Sequence, residues 1–426
     1  MKAMKRKLSL LIIVSILFAS CADKIEETYL INEPVYLTYA DMRSSLKSTD
    51  SEPIVQPGKI YFKDNYIFVN EYQEGIHIIN NSDPANPVVV KFIEIPGNVD
   101  MAIKGNVLYA DSYVDLVSID ISDLDNIREI DRDTNVLPYV IPEFDEGILS
   151  DVDESQGVIT GYKTVSKTED YIAENQYYPY YEYWSGELVF FEASSAVNST
   201  DAASNNAGTG GSMARFTLYG NYLYAIDNYQ LKIFNIESIE NPQFIKEEYI
   251  GWNIETLFPY QNKLFIGSMS GMYVYDLSIP TNPQYISMFS HAMACDPVVV
   301  EGDYAYVTLR AGNICGAEIS ELDVIDISNL ADTKLIKNYP MEEPYGLGID
   351  STTLFVCDGN AGLKIYNASD PMTIDSNLII TYPHVNTFDV IPLGNVLLMI
   401  GSDGLYQYDY SDVKNIKQLS QIPIYQ

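Results

Sequence analysis

The sequence predicts an all-β fold: a seven-bladed β-propeller of four-stranded antiparallel blades. Three observations carry that expectation. A short motif recurs seven times in one register, its copies lie about 41 residues apart wherever nothing intervenes, and Gly, Pro and Tyr are plentiful while long helical periodicity is missing.

The copies are "IHIINNSDPANP" (76–87), "LVSIDISDLDNI" (116–127), "LKIFNIESIENP" (231–242), "MYVYDLSIPTNP" (272–283), "LDVIDISNLADT" (322–333), "LKIYNASDPMTI" (363–374) and "LYQYDYSDVKNI" (405–416). The fifth column is always Asn or Asp: Asn80, Asp120, Asn235, Asp276, Asp326, Asn367 and Asp409. Two positions later stands a serine, except at Glu237. Short polar side chains of this kind bond their own backbone, and proline fixes φ, so the motif reads as a turn. Within the second unit the strands read as "DMAIKG" (100–105), "NVLYADSY" (106–113), "DLVSIDI" (115–121) and "NIREIDR" (126–132), which places the motif between strands three and four. The turn "KGN" between strands one and two returns as "YGN" (219–221), "EGD" (301–303) and "LGN" (393–395), chemistry suited to a hairpin that needs φ > 0.

The runs "LVSID" (116–120) and "LDVID" (322–326) resemble the LVIVD-repeat family, and the chain as a whole looks like its lipid-anchored Bacteroidetes members. The resemblance covers residues 55–424. It implies a β-propeller and carries no general set of catalytic residues.

The N-terminus has the form of a lipoprotein export signal. Lys2, Lys5, Arg6 and Lys7 precede the apolar run "LSLLIIVSILFAS", and Cys21 follows the small residues Ala19 and Ser20. The run is too short for a stable membrane span, so residues 1–20 are expected to be removed and Cys21 to carry the lipid. This implies an outer-membrane lipoprotein that meets the membrane through that lipid, with the choice between periplasmic and outward orientation left open. Residues 21–54 form a linker, in which "EPVYLTY" (33–39) is expected to pair with the last blade and close the ring; the alternative is that "KQLSQIPIY" (417–425) completes that blade unaided. The propeller occupies 55–426.

The net charge is −34, and it becomes more negative once the basic signal is removed. A field of that sign repels nucleic acid and anionic surfaces and suits divalent cations or basic partners.

Two insertions break the repeat, and both are expected on the face opposite the motif turns. The long one, 139–212, follows strand four of the second unit; the short one, 310–321, joins strands two and three of the fifth. Loops on a rigid scaffold carry function, so that face is the place to look. Within the long insertion, Tyr177, Tyr178, Tyr180, Tyr181, Tyr183 and Trp184 form a dense aromatic cluster, which reads either as a platform for sugar rings or protein or as a hairpin covering its own tyrosines. Its tail, 193–212, lacks apolar content and is expected to be a flexible linker.

In an exported chain, Cys295 and Cys315, at one edge of the same blade, are expected to form a disulfide; Cys315 with Cys357 is the alternative pairing. His291 and Asp296, His384 and Asp389 lie in connections between blades beside the central channel, with Asp100 and Glu255 in similar places. Such a ring offers a divalent cation such as calcium carboxylate oxygens and imidazole nitrogens; the same residues also serve to cap strand edges and bond loop amides. No phosphate loop, nucleophile elbow or H-E-x-x-H occurs. The sequence therefore points to a non-catalytic binding or assembly module with an envelope protein or glycan as partner. The alternative is an enzyme on extracellular glycans or other polymers, using His291, His384, Arg310 and an acid at the channel mouth.

Overall fold

A computed structural model describes residues 26–144, 146–170, 207–290, 297–311, 319–383 and 385–425. The chain divides into two units: residues 38–140 with 184–426, and residues 1–37 with 141–183.

The larger unit is built from seven sheets, each resting on four consecutive antiparallel strands. The first uses Pro57–Lys63, Tyr66–Glu71, Gly75–Asn80 and Val88–Glu94, the second Met101–Lys104, Val107–Ser112, Asp115–Asp120 and Arg128–Asp133. The third to seventh span 216–249, 254–290, 298–340, 347–382 and 387–423 in the same order. First strands of successive sheets pack against one another from the first sheet to the seventh, so they lie innermost and the fourth strands form the rim. This is the arrangement of a β-propeller.

The motif turn behaves as its chemistry demands. In all seven copies the Asn or Asp side chain accepts a hydrogen bond from the amide two residues on, from Ser82 on Asn80 (3.0 Å) to Ser411 on Asp409 (3.0 Å). Glu237 is tolerated because its amide, which any residue supplies, is the group that bonds Asn235. The residue after each Asn or Asp donates its amide to the carbonyl of the turn between strands one and two, as Ile121 does to Asn106 (2.9 Å) and Tyr410 to Asn395 (2.9 Å). These first turns do need positive φ: Gly105, Gly220 and Gly302 all stand at +60°. Each fourth strand also carries a bulge at the same place, seven times over, which increases its local twist.

The same turn ties neighbouring sheets together. Its fifth residue, counted from the Asn or Asp, accepts a hydroxyl from the preceding sheet: Tyr109 to Ile239 (2.7 Å), Tyr224 to Pro280 (2.8 Å), Ser287 to Leu330, and Tyr339 to Pro371 (2.7 Å). The series returns to its start, because Ser420 of the seventh sheet donates to Pro84 of the first (2.7 Å). Gln407 reaches Asn81 there (2.7 Å), and the Tyr425 amide meets Ile54 (2.8 Å). Apolar packing follows the same path, for one core cluster joins Ile60, Ile67 and Val69 of the first sheet to Leu398, Met399 and Tyr408 of the seventh.

Two expectations about the ends change. The seventh sheet takes its fourth strand from Lys417–Pro423, so "EPVYLTY" does not close it. The C-terminal segment fills that edge itself, and Glu26–Leu37 pairs instead with Val158–Asp170 and with Ile148–Leu149 in the smaller unit. There Asn32 is buried, donating to the Glu146 carbonyl (2.7 Å) and accepting from Thr164 (2.7 Å). The N-terminal segment does extend the larger unit, but at the rim: Lys47–Asp50 adds to the outer edge of Val88–Glu94. Just before it, the helix Tyr39–Ser44 places Arg43 in a bidentate pair with the buried Asp115 (2.8 and 3.1 Å).

Candidate functional site

The innermost strands of the propeller surround an axis, and the end of the long insertion runs along it. Thr209–Gly210 pairs antiparallel with Tyr61 and Phe62 on the inner edge of the first sheet, while the Gly208 amide bonds Ile103 of the second (2.9 Å). The Ser212 hydroxyl accepts from Leu347 of the sixth sheet (3.3 Å), the Met213 carbonyl from the Lys59 ammonium of the first (2.5 Å), and the Ala214 carbonyl from Leu257 of the fourth (2.8 Å). One short segment reaches the first strands of four sheets only where those strands converge. The expectation of a flexible tail is therefore wrong for 207–212; residues 193–206 lie outside the described residues. Small residues make the passage fit, since a Cβ on Gly208 would stand 2.3 Å from the Tyr61 ring and 2.7 Å from the Phe62 carbonyl.

Asp100 anchors the segment's exit. Its carboxylate accepts the amides of Arg215 (2.5 Å), Phe216 (3.2 Å) and Met101 (2.6 Å). Burial pushes its carboxyl above the ordinary range, against the pull of Lys59 and those amides. Asp111 beside it accepts from Val99, Asp100 and Asn98 (2.8–2.9 Å), and burial lifts it to about 6.

Arg310 and Asp389 come to one neighbourhood, where the fifth, sixth and seventh sheets meet. Arg310 is buried, with its guanidinium 4.2 Å above the Tyr345 ring and 3.3 Å from the Tyr345 hydroxyl. That hydroxyl donates to Glu343 (3.1 Å), and the ring meets Phe388 edge-on at 5.5 Å. Gly346 follows, and a Cβ there would stand 2.0 Å from the Asp389 carboxylate. The connection that carries these residues is held by Asp358, which accepts the amides of Glu342 (3.0 Å) and Glu343 (2.7 Å) and pairs with Lys364 (2.5 Å). Tyr345 and Glu343 were not anticipated; "EEPYGLG" (342–348) offers nothing that distinguishes them from an ordinary turn.

Glu255 is half-buried in the first strand of the fourth sheet, at a register shift. His291, Asp296 and His384 lie outside the described residues, as do Cys21, Cys295, Cys315 and the aromatic cluster Tyr177 to Trp184. Cys357 is a free thiol, buried among Tyr345, Phe355 and Phe388, which removes the pairing with Cys315. Burial pushes that thiol well above its ordinary value, with Asp389 adding to the effect, so it is held protonated. Among the described residues no group of three or more His, Cys, Asp or Glu side chains is placed to hold a metal ion.

No family model matches the chain, and no curated protein matches it in sequence. Solved structures do resemble it. A protein from Lactobacillus plantarum aligns with a TM-score of 0.54 at 9% identity, over 86% of this chain and 97% of that one. A functionally unknown protein from Desulfotomaculum acetoxidans aligns with a TM-score of 0.51 at 10% identity, over 84% and 95%. The computationally designed Ika8 protein gives a TM-score of 0.50 at 10% identity, over 88% and 90%. At these identities the likeness concerns the fold alone.

Proposed function

We propose that the protein is a seven-bladed β-propeller of the LVIVD-repeat type, anchored to the outer membrane by lipid on Cys21 and serving as a non-catalytic binding or assembly module. Its contacts run through the face that bears the insertions. The observation that carries this reading is the axial course of residues 207–214. Propellers offer their central cavity to small ligands, and here that space holds the chain's own backbone. Asp100, which holds the exit of that segment, and Asp111 beside Asp100 are committed to backbone amides, and the inserted loops are the recognition elements of this reading. Seven sheets in series, with Ser420 of the last bonded to Pro84 of the first, support the blade number. The net charge of −34 favours a basic protein or a neutral glycan as partner over nucleic acid.

The test is capture from the native envelope by the intact protein and by a variant joining residue 140 to 207. The variant keeps the axial segment, folds, and loses the partner; undiminished capture by a folded variant contradicts the reading. A second reading, an enzyme on extracellular glycans, rests on the Arg310, Tyr345 and Glu343 constellation. Unchanged turnover of any polymer substrate by Arg310→Ala would remove it.

A further inference from the structure

The connection from the third sheet to the fourth departs from its counterpart between the first and second. Both begin with an amide bonded to the preceding two-to-three connection, Ile95 to Glu74 (2.8 Å) and Ile250 to Tyr229 (2.9 Å), so Gly97 and Asn98 correspond to Trp252 and Asn253. In the first junction a Cβ on Gly97 would stand 2.3 Å from the Tyr113 ring that covers it. Asn98 there is fully buried, its carboxamide spent on Asn70, Asp100 and Asp111. In the later junction these positions change together. Trp252 replaces the glycine and is 48% exposed, while Met269 replaces the covering tyrosine and accepts from the Asn253 amide group. A tryptophan that takes the place of a covered glycine and stays half-exposed gains little inside the fold.

The backbone around Trp252 is held from both sides. Ile250 and Ile254 donate their amides to the Tyr229 and Asn228 carbonyls of the third sheet (both 2.9 Å), and Met269 of the fourth donates to the Asn253 carbonyl (3.0 Å). Gly251 lies against the fourth sheet, since a Cβ on it would stand 2.2 Å from the Tyr273 hydroxyl. Two carboxamides flank the indole: Asn253 follows it in the chain, and Asn228 belongs to the connection that holds the loop. Among the described residues the Asn253 Oδ1, the Asn228 side chain and the indole N–H make no hydrogen bond. Tyr249, 67% exposed, ends the strand three residues earlier.

We propose that Trp252, Asn228 and Asn253 form a subsite for a neutral sugar unit of a glycan, its C–H face on the indole and its hydroxyls on the two carboxamides. Chemistry selects that occupant. An indole offers flat apolar area with a polar edge, and carboxamides both donate and accept, as neighbouring hydroxyls do. The flanking groups carry no charge to hold a cation, and Asp227 of the same connection is committed to the Tyr229 and Gln230 amides (both 2.8 Å). The net charge of −34 repels an anionic polysaccharide. A partner protein covers roughly 800 Å² on each side, far more than Trp252 and Tyr249 supply. The subsite lies outside residues 139–212 and 310–321, so it stands or falls separately from capture through the insertion.

Affinity electrophoresis tests this with the purified protein in native gels containing dextran, laminarin, galactomannan or mannan, and with polygalacturonate as the anionic control. Expected is retardation of the wild type by at least one neutral polymer and none by polygalacturonate. Trp252→Ala binds that polymer at least tenfold more weakly and Asn228→Ala at least threefold, whereas Trp252→Phe keeps an aromatic face and falls between Trp252→Ala and the wild type. Asn253→Gly removes the free acceptor while tolerating the φ of +47° at that position, and also loses at least threefold. Thermal melts of the same variants, unchanged from the wild type, separate loss of binding from loss of fold. No retardation by any neutral polymer, equal retardation of Trp252→Ala and the wild type, or retardation by polygalacturonate would overturn the proposal.

Discussion

At Glu71 two opposing effects meet. Burial raises its carboxyl, but the hydrogen bond from His77 (2.8 Å) and the amides of Val55 and Gln56 outweigh this and hold it below 4.5. A depressed folded pKa gives stability that is present above the unfolded value and lost as pH falls through the folded one. Asp111 has the opposite sign: lifted to about 6, it contributes stability that is present below the ordinary carboxylate range and lost as pH rises through 6. Thermal melts should therefore show Asp111→Asn flattening the loss of stability between about pH 4 and 6, and Glu71→Gln flattening the loss on the acid side, below about pH 4.5. Unaltered profiles would show that neither carboxylate is coupled to folding. The motif permits a second test at this scale. Asn235→Ala removes the acceptor for the Glu237 amide and should cost about 1 kcal/mol in denaturant melts, whereas Glu237→Ala leaves that bond intact and should cost nothing measurable. Equal losses would mean that the turn is held by something other than the side chain of the fifth column.

The strands and turns were legible in the sequence because each repeat spells the same local instruction. "DMAIKG" to "NIREIDR" folds as the four strands Met101–Lys104 to Arg128–Asp133, and the amide two residues past every Asn or Asp finds that side chain. The motif's part in joining one sheet to the next was not legible, since it uses a backbone carbonyl, at Pro84 or Ile239, and the donor comes from a distant hydroxyl. "EPVYLTY" misled for a related reason: alternation marks a strand but does not name its partner, which is Val158–Asp170. The segment 207–214 was the most deceptive. Its Gly, Thr and Ser read as linker, yet backbone hydrogen bonds and the absence of side chains are what fit it to the inner strands. Gly208→Val should therefore destabilise by about 1–3 kcal/mol through its clash with Tyr61 and the Phe62 carbonyl, as overpacking does. At Gly161 a Cβ meets nothing within 4 Å, and Gly161→Ala should melt as the wild type does. Full tolerance of Gly208→Val would show that the tail is free after all.

For the molecule as a whole, regularity and function separate. The seven turn motifs carry the architecture, with the seventh sheet latched to the first by Ser420, Gln407 and packed apolar side chains. That closure needs no exchanged strand, and the axial segment adds bonds to the first, second, fourth and sixth sheets from within. On the function proposed above, an axis so filled leaves recognition to the inserted loops. Of the candidate site, Arg310 and Asp389 were legible as polar residues in loop positions, while Tyr345 and Glu343 were not, because their proximity is created by three separate sheets. The central claim is that residues 207–214 belong to the propeller core. Native-state hydrogen exchange tests it most directly. The account predicts that the amide of Gly208, bonded to the Ile103 carbonyl, exchanges as slowly as those of the inner strands. Exchange at the rate of an unstructured chain would contradict it.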